Sequence, residues 1–184
     1  MNRIFTIGEG FPVPDGTTVH SILDAAALHH SAGVWLEQLS VALGHIPPRT
    51  ISKIHVHPIV TQLTWVIAGE LTVTMKGADS GEPYSLDLTA EQAVITPPGT
   101  LFQLRNTSDA PCRVLYVVSP AFLFEIGPAG EVAYNDAVVL DLEWDELEAA
   151  GWLLPEHAAV DAALAQREQS RHRLRAQYRP ESDA

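Results

Sequence analysis

Short apolar runs separated by turn residues dominate the middle of the chain. Between about residue 33 and residue 140, segments rich in Val, Ile, Leu, Thr and aromatic residues are divided by turns that contain Gly or Pro. Many short strands with turn signals between them are typical of an all-β sandwich or barrel. The pattern therefore predicts an all-β fold for this region, with strands at residues 33–43, 51–57, 62–68, 71–75, 84–88, 93–96, 101–106 and 112–119.

The composition changes after about residue 140, where helical patterns replace the strands. Residues 141–151 carry acidic residues early and end at Gly151, which is typical of a short helix. Residues 158–178 contain neither Gly nor Pro and are rich in Ala, Gln, Glu and Arg, so a second helix is predicted there. We therefore divide the chain into an N-terminal arm (1–32), a barrel (33–140) and a C-terminal helical extension (141–184).

The second predicted helix carries a cluster of positive charge. Five Arg and one Glu lie between residues 167 and 179. One interpretation is a surface for a partner or an anionic ligand. The interpretation we favour is a solvated helix end, at which Arg side chains interact favourably with the helix dipole.

The net charge argues against some classes of function. Asp and Glu number 23 against 11 Lys and Arg, which gives a net charge of -12 over 184 residues. A general nucleic-acid-binding protein needs a basic surface, and so does electrostatic docking on an anionic membrane. The single cysteine cannot form an internal disulfide, and the N-terminal residues contain no apolar run of signal-peptide length. We therefore expect a cytoplasmic protein that binds neither nucleic acid nor membrane.

Two of the eight histidines form the strongest candidate site. His55 and His57 are two residues apart on a predicted strand, so both side chains point to the same face. A turn follows, and Gln62 opens the neighbouring strand with an amide oxygen as a third neutral donor. Such a set can hold a divalent transition metal (Fe, Mn, Ni, Cu or Zn), and imidazole alone does not choose among them. The alternative is that both histidines are ordinary core or surface residues.

Other histidines are weaker candidates for a further metal ligand. His45 lies at or just after the end of the first predicted strand, near the mouth of a barrel, and is the best of them. The remaining candidates are His20, His29 and His30.

Strand alternation predicts a cavity beside the histidines. Thr64 and Val66 share the face of Gln62, Leu104 shares the face of Phe102, and Tyr116 is a further polar residue predicted to point inward. A mostly apolar cavity with a few polar groups is typical of a small-molecule site. The alternative for each of these residues is packing in the barrel core.

The spacing of these residues resembles the two motifs of the cupin superfamily. The first motif is matched by His55, His57, Gln62 and Gly69, and the second by Pro97, Gly99, Phe102 and Asn106. The resemblance implies a cupin-type double-stranded β-helix, that is, a jelly-roll barrel. It does not extend to the residues after about 140.

The chain departs from the cupin motifs at four positions. Gln62 stands where the family has a metal-binding Glu, and Phe102 stands where it has a third metal-binding His. Arg49 and Glu91 replace the two leading glycines, which concerns turn geometry more than chemistry. Two His, one Gln and water could still hold a divalent ion, more weakly than the usual set.

The resemblance implies a metal-dependent enzyme that acts on a small organic molecule, with a dioxygenase as the first expectation. A lyase, an isomerase and a polyketide-cyclase-type activity use the same scaffold, and fold does not choose among them. A non-catalytic small-molecule-binding cupin is a further alternative, because Gln62 and Phe102 each weaken the usual metal site. A metal-free sugar-nucleotide isomerase or epimerase is the least favoured. We also expect a homodimer, since the arm and the tail are long enough to clasp a partner.

Overall fold

The computed structural model describes residue 7, residues 9–23 and residues 37–177. Antiparallel β-strands make up most of this part of the chain. They are β1 (Phe11–Pro12), β2 (Thr18–Leu23), β3 (Ser40–Ile46), β4 (Thr50–Ile51), β5 (His55–Val56), β6 (Thr61–Ala68), β7 (Glu70–Lys76), β8 (Tyr84–Thr89), β9 (Ala93–Thr96), β10 (Leu101–Asn106), β11 (Cys112–Ser119), β12 (Phe124–Ile126), β13 (Val132–Asn135) and β14 (Val138–Val139). The helices are α1 (Trp144–Ala149) and α2 (Val160–Gln177), with a 3₁₀ turn at Glu156–Ala158 between them.

Two sheets form the barrel. The first sheet has the strand order β1-β2-β3-β11-β6-β9, and the second has the order β14-β5-β10-β7-β8 with β4 beside β10. The hairpin β12–β13 stands apart from both. From β3 to β11 the chain crosses repeatedly between the sheets, with β3, β6, β9 and β11 in the first and β4, β5, β7, β8 and β10 in the second. This is the topology of a double-stranded β-helix, and the all-β jelly-roll prediction is confirmed.

The core lies between the sheets because the strands alternate apolar and polar positions. On β11 the side chains of Cys112, Val114, Tyr116 and Val118 are buried, while Arg113 on the opposite face is exposed. The second sheet contributes Val73, Met75, Phe102 and Leu104 to the same cluster. Removing apolar surface from water stabilises such a core by roughly 25 cal/mol per Å².

The predicted strand positions agree with the structure where the alternation is regular. The strands 93–96, 101–106 and 112–119 coincide with β9, β10 and β11, and the neighbouring strands differ by one residue at an end. The predicted strand 51–57 is divided into β4 and β5. The first predicted strand begins as β3 at Ser40, and its residues 33–36 lie outside the described residues.

Part of the predicted N-terminal arm is a strand of the first sheet. β2 pairs with β3 in an antiparallel register that places Thr18 opposite His45 and Val19 opposite Gly44. β1 pairs with β2 in turn, and the tight turn between them contains Gly16. This turn brings the segment 11–17 to the open end of the barrel.

The C-terminal helix is attached to the barrel mainly through its arginines. Arg167 is buried, forms an ion pair with Asp136 and donates a hydrogen bond to the carbonyl of Ala121. Arg173 binds Glu125 at 2.9 Å, and Arg171 and Arg175 both bind Glu37. The four described arginines are thus paired with carboxylates of the protein, with Arg167 buried and Arg173 and Arg175 about half exposed, while Arg179 lies outside the described residues.

The helix α1 covers the outer face of the second sheet. Trp144 donates its indole N–H to the Gln103 side chain at 3.0 Å, and Leu147 packs in a cluster with Ile54 and Leu101. Gln103 points out of the barrel, as alternation predicts, yet this helix buries it. Neither helix of the described residues is long and apolar enough to span a bilayer.

Candidate functional site

A cavity of about 670 Å³ lies inside the barrel at its open end. Its walls come from both sheets, from the segment 11–17, from the hairpin β12–β13 and from α2. Most of the lining is apolar, including Val41, Val118, Phe122 and Val139. Asp15 is the single residue with a formal charge among the described residues that line it. The result is an apolar chamber with a small polar region.

His55 and His57 form the centre of the polar region, as the spacing predicts. Both lie on or directly after β5, both are buried and both line the cavity, with ring centroids 5.5 Å apart. The Nδ1 atom of His55 lies 3.0 Å from the carbonyl oxygen of Lys53. Since a carbonyl only accepts, Nδ1 carries the proton and donates, and Nε2 is left as an acceptor.

Burial keeps both rings neutral at neutral pH. Burial lowers the pKa of His55, although the Asp15 carboxylate opposes this effect. The pKa of His57 is well below its usual value because of burial and, in addition, because His55 is close. Neutral imidazoles can donate or accept a hydrogen bond, and they can accept a proton.

Asp15 is a site residue that sequence reasoning missed. It lies in the turn between β1 and β2, and its Oδ1 accepts hydrogen bonds from the backbone N–H and the hydroxyl of Thr17, both at 2.9 Å. Its Oδ2 lies 4.0 Å from Nε2 of His55. The Asp-Gly dipeptide signals a turn at this position. Nothing in the local pattern signals that the turn meets a histidine forty residues later.

Gln62 lines the cavity, as predicted, and Thr64 orients it from behind. The Nε2 of Gln62 donates to the Thr64 hydroxyl at 3.0 Å, and both residues are buried. This bond uses the donor end of the amide. The carbonyl oxygen is therefore the polar atom that Gln62 has left for the cavity.

Phe102 fills the space behind the histidines. It is fully buried, and its ring centroid lies 3.9 Å from that of His55 and 5.1 Å from that of His57. It packs against the imidazoles and does not itself line the cavity among the described residues. Its apolar ring adds to the burial that keeps the imidazoles neutral.

The structure brings some of the remaining predicted residues to the cavity and leaves others outside it. Leu104 and Tyr116 line it, whereas Val66 lies deeper in the core. His45 is not among the lining residues, because it lies on β3 between the inward residues Gly44 and Ile46 and so points to the other face. His20 lies on β2 and does not line the cavity, and His29 and His30 fall outside the described residues.

Two polar atoms of the cavity lining have no partner within the protein. They are Nδ1 of His57 and the hydroxyl oxygen of Tyr116, and both are buried in the described part of the chain. Burial, together with the Asp15 charge, raises the pKa of Tyr116, so its hydroxyl stays protonated. An unsatisfied buried polar group costs about 1–3 kcal/mol. Such groups in a cavity wall indicate a place for water or a ligand.

The residues present do not fit a divalent metal ion. Among residues 9–23 and 37–177, no three His, Cys, Asp or Glu side chains lie close enough together to share one ion. The position of the family's third histidine is occupied by Phe102, and the amide of Gln62 is neutral. Two imidazoles and one amide oxygen supply less charge and fewer ligands than the usual cupin set, and the Asp15 carboxylate, 4.0 Å from His55, does not complete a group of three.

Comparison with known proteins agrees with this architecture. Residues 42–118 match the cupin domain family. No match was found among curated protein sequences.

Solved structures with a similar fold come from proteins of different kinds. The capsular polysaccharide assembling protein CapF from Staphylococcus aureus has a TM-score of 0.50 and 13% identity over 77% of this chain and 33% of its own. A Klebsiella pneumoniae protein with a double-stranded β-helix domain has a TM-score of 0.47 and 19% sequence identity. The match covers 72% of this chain and 85% of that protein. The cupin domain of Drosophila melanogaster CENP-C has a TM-score of 0.48 and 14% sequence identity. The match covers 60% of this chain and 70% of that domain.

Identities this low show the fold alone. The cupin match begins on β3 and ends on β11, so it spans the strands that carry His55, His57, Gln62 and Phe102. The strand topology and the family match agree over the same residues. Residues 42–118 of this chain therefore match the cupin domain family and have a cupin-type fold.

Proposed function

We propose that this protein binds a small, largely apolar organic molecule in the cavity between its two sheets. The observation that carries the proposal is a chamber of about 670 Å³ whose apolar walls converge on buried polar atoms without partners. Small-molecule sites are clefts of roughly 300–1,000 Å³ with mostly apolar linings and a few placed polar groups. The cavity agrees with that description in both size and chemistry.

The apolar walls would supply most of the affinity. Side chains such as Val118 and Phe122 line the cavity from the barrel, and Phe124 and Val132 line it from the hairpin. A ligand body in contact with them leaves water, which is worth roughly 25 cal/mol per Å² of apolar surface.

The polar region would set the orientation of the ligand. His57 and Tyr116 each hold a buried polar atom without a partner in the protein, and a ligand can supply the missing hydrogen bond. Because these atoms are already desolvated, a bond to a ligand removes an existing penalty. The polar end of the ligand is therefore expected beside the histidines, and its apolar body towards β12–β13.

Binding of the neutral fluorescent dye prodan tests the proposal. We expect the dye to bind with a blue-shifted emission, since the cavity is apolar. Ala42→Phe, on the cavity wall, should weaken binding because the added ring occupies part of the chamber. Leu43→Phe adds similar bulk on the opposite face of β3 and should bind as the wild type does. Both variants are first checked for folding by circular dichroism, and equal dye binding by all three proteins would refute the proposal.

A second candidate is the metal-dependent enzyme that the family resemblance implies, with a dioxygenase, a lyase, an isomerase or a polyketide-cyclase-type activity as its forms. The observation in its favour is the bond between His55 Nδ1 and the Lys53 carbonyl, since metal-binding histidines are commonly oriented in this way.

Metal analysis of protein purified without an affinity tag distinguishes the two candidates. The donor set predicts no stoichiometric metal after purification and no saturable uptake of Fe²⁺, Mn²⁺, Ni²⁺, Cu²⁺ or Zn²⁺. One equivalent of metal that is lost in both His55→Ala and His57→Ala would establish the second candidate instead.

A further inference from the structure

We infer that the cavity selects ligands whose polar end donates hydrogen bonds, an amine or a hydroxyl group, over carboxylates and phosphates. The inference rests on the proposed function, because it names the class of ligand for the same cavity. Its basis is that Asp15, His55 and Gln62 each present a hydrogen-bond acceptor to the cavity, and that the one formal charge among the described lining residues is negative.

The first two acceptors, on His55 and Asp15, lie close together in the cavity lining. Nε2 of His55 is unprotonated, since Nδ1 holds the proton that is donated to Lys53. Oδ2 of Asp15 lies 4.0 Å away from it. A lone pair and a carboxylate oxygen at this distance repel each other unless a donor lies between or beside them.

The other bonds of Asp15 leave this oxygen available. Thr17 donates twice, and both bonds go to Oδ1. Within the described residues, Oδ2 accepts no hydrogen bond. Buried carboxylates in proteins are normally paired or hydrogen-bonded at both oxygens. Oδ2 is therefore the Asp15 oxygen that is open to a donor in the cavity.

Gln62 adds a third acceptor to the cavity lining. Its amide nitrogen is bound to Thr64, so the carbonyl oxygen is the part that remains. Tyr116 and His57 do not decide the question, because a hydroxyl group and a neutral imidazole can each donate or accept.

The charge around the cavity disfavours anions. No Lys or Arg lies among the described residues that line it. Lys53, two residues before His55, pairs with Asp141, and the buried Arg167 pairs with Asp136. A carboxylate or phosphate group would therefore meet Asp15 with no cation to compensate. An ammonium group would instead pair with Asp15 and donate to Nε2 of His55.

The acceptors are better suited to an organic head group than to a metal ion. No group of three metal-binding side chains occurs among the described residues. The chamber of about 670 Å³ is also far larger than an ion needs, and its apolar walls require an apolar body to fill them.

A matched series of probes tests the inference: 2-phenylethylamine, 2-phenylethanol and phenylacetate share a body and differ in the head group. Their affinities are measured by displacement of prodan and by calorimetry, in buffer with EDTA so that no metal bridges the head group. We expect the amine and the alcohol to bind at least about tenfold more tightly than phenylacetate, a difference that calorimetry resolves readily.

The variant Asp15→Asn removes the charge and keeps an oxygen for Thr17. It should reduce the preference for the amine over phenylacetate by about tenfold and leave the affinity for the alcohol within about twofold. Asp79→Asn makes the same change of charge on an exposed loop and should alter neither ratio.

The outcomes separate the inference from the proposed function. The inference is overturned if phenylacetate binds the wild type as tightly as the amine, if Asp15→Asn leaves the ratio unchanged, or if prodan binds and none of the three probes displaces it. If Asp15→Asn does not fold, the order of the three probe affinities in the wild type is by itself the test. Failure of prodan to bind would instead refute the proposed function.

Discussion

At the scale of single residues, Gly44 makes room for Tyr116. A Cβ atom at position 44 would lie 2.5 Å from Cε2 of Tyr116 and 2.6 Å from Cγ2 of Val114, closer than any real contact. The missing side chain lets the phenol ring lie against β3 and reach the cavity. One glycine thus positions the hydroxyl group that Asp15 influences.

Gly44→Ala is therefore expected to destabilise the protein. Overpacking of this kind costs about 1–3 kcal/mol in the free energy of unfolding, measured by urea denaturation. Gly77→Ala is the matched control, since the nearest atom to its Cβ would be Ser80 Oγ at 4.0 Å. That variant should stay within about 0.5 kcal/mol of the wild type. An equal loss in both variants would contradict the packing argument.

Local spacing predicted the residues of the site that lie close together in sequence. His55, His57 and Gln62 reach the cavity because strand alternation fixes their direction. Asp15 could not be predicted, because its approach to His55 depends on how β1 and β2 attach to the first sheet. Long-range pairing of this kind leaves no periodic signal in either segment.

Two turns of the barrel have a left-handed backbone residue at a position where the cupin motifs have glycine. Arg49 and Glu91 stand where the cupin motifs have glycine, and both keep a positive φ, of 56° and 72°. The backbone of these turns is thus left-handed without a glycine, at a cost of roughly 1–2 kcal/mol per residue.

At the scale of elements, α2 is attached by polar contacts. Its apolar contribution to the barrel includes Leu174, which packs with Leu123 and Tyr134. Its composition predicted a helix, but not that the arginines would be paired inside the protein. Their carboxylate partners lie on distant segments, so the sequence gives no sign of the pairing.

Arg167→Met is expected to be the most damaging change in this helix. It would leave the Asp136 carboxylate buried without a cation, and burial already raises the pKa of Asp136. Breaking a buried pair costs about 3–5 kcal/mol, whereas loss of an exposed pair costs about 1 kcal/mol or less. The matched control is Arg175→Met, because this side chain is partly exposed and Glu37 keeps Arg171 as a partner.

Denaturant unfolding of both variants compares the two ion pairs. The double variant Arg167→Met/Asp136→Asn should lose less stability than the sum of its single changes, because the uncompensated charge is absent. If Arg167→Met and Arg175→Met lower the free energy of unfolding by similar amounts, burial of the ion pair does not determine the cost of breaking it.

At the scale of the whole molecule, the outer face of the first sheet is unusually apolar. Trp65 is 44% exposed and Ile95 is 58% exposed, and the register places Trp65 beside Leu115 and Ile95 beside Leu63. Contiguous apolar patches on a protein surface commonly mark an interface. The sequence led us to expect a homodimer clasped by the arm and the tail, and this face suggests a different contact surface.

We expect the protein to form a homodimer through this face, with a mass in light scattering of twice that of the chain. The pair of changes Trp65→Lys and Ile95→Lys should give a monomer, since two buried charges would oppose association. Ile51→Lys is the control, because Ile51 is also exposed but lies on β4, beside the second sheet. A monomeric wild type would contradict the expectation.

Leu174 belongs both to the wall of the cavity and to the cluster that attaches α2. Filling the cavity and docking the helix are therefore thermodynamically linked, since each favours the arrangement that the other needs. An occupant strengthens the attachment of the helix, and detachment of the helix removes part of the wall. In this way the C-terminal helix, although it lies outside the two sheets, contributes to the stability of the ligand chamber through Leu174.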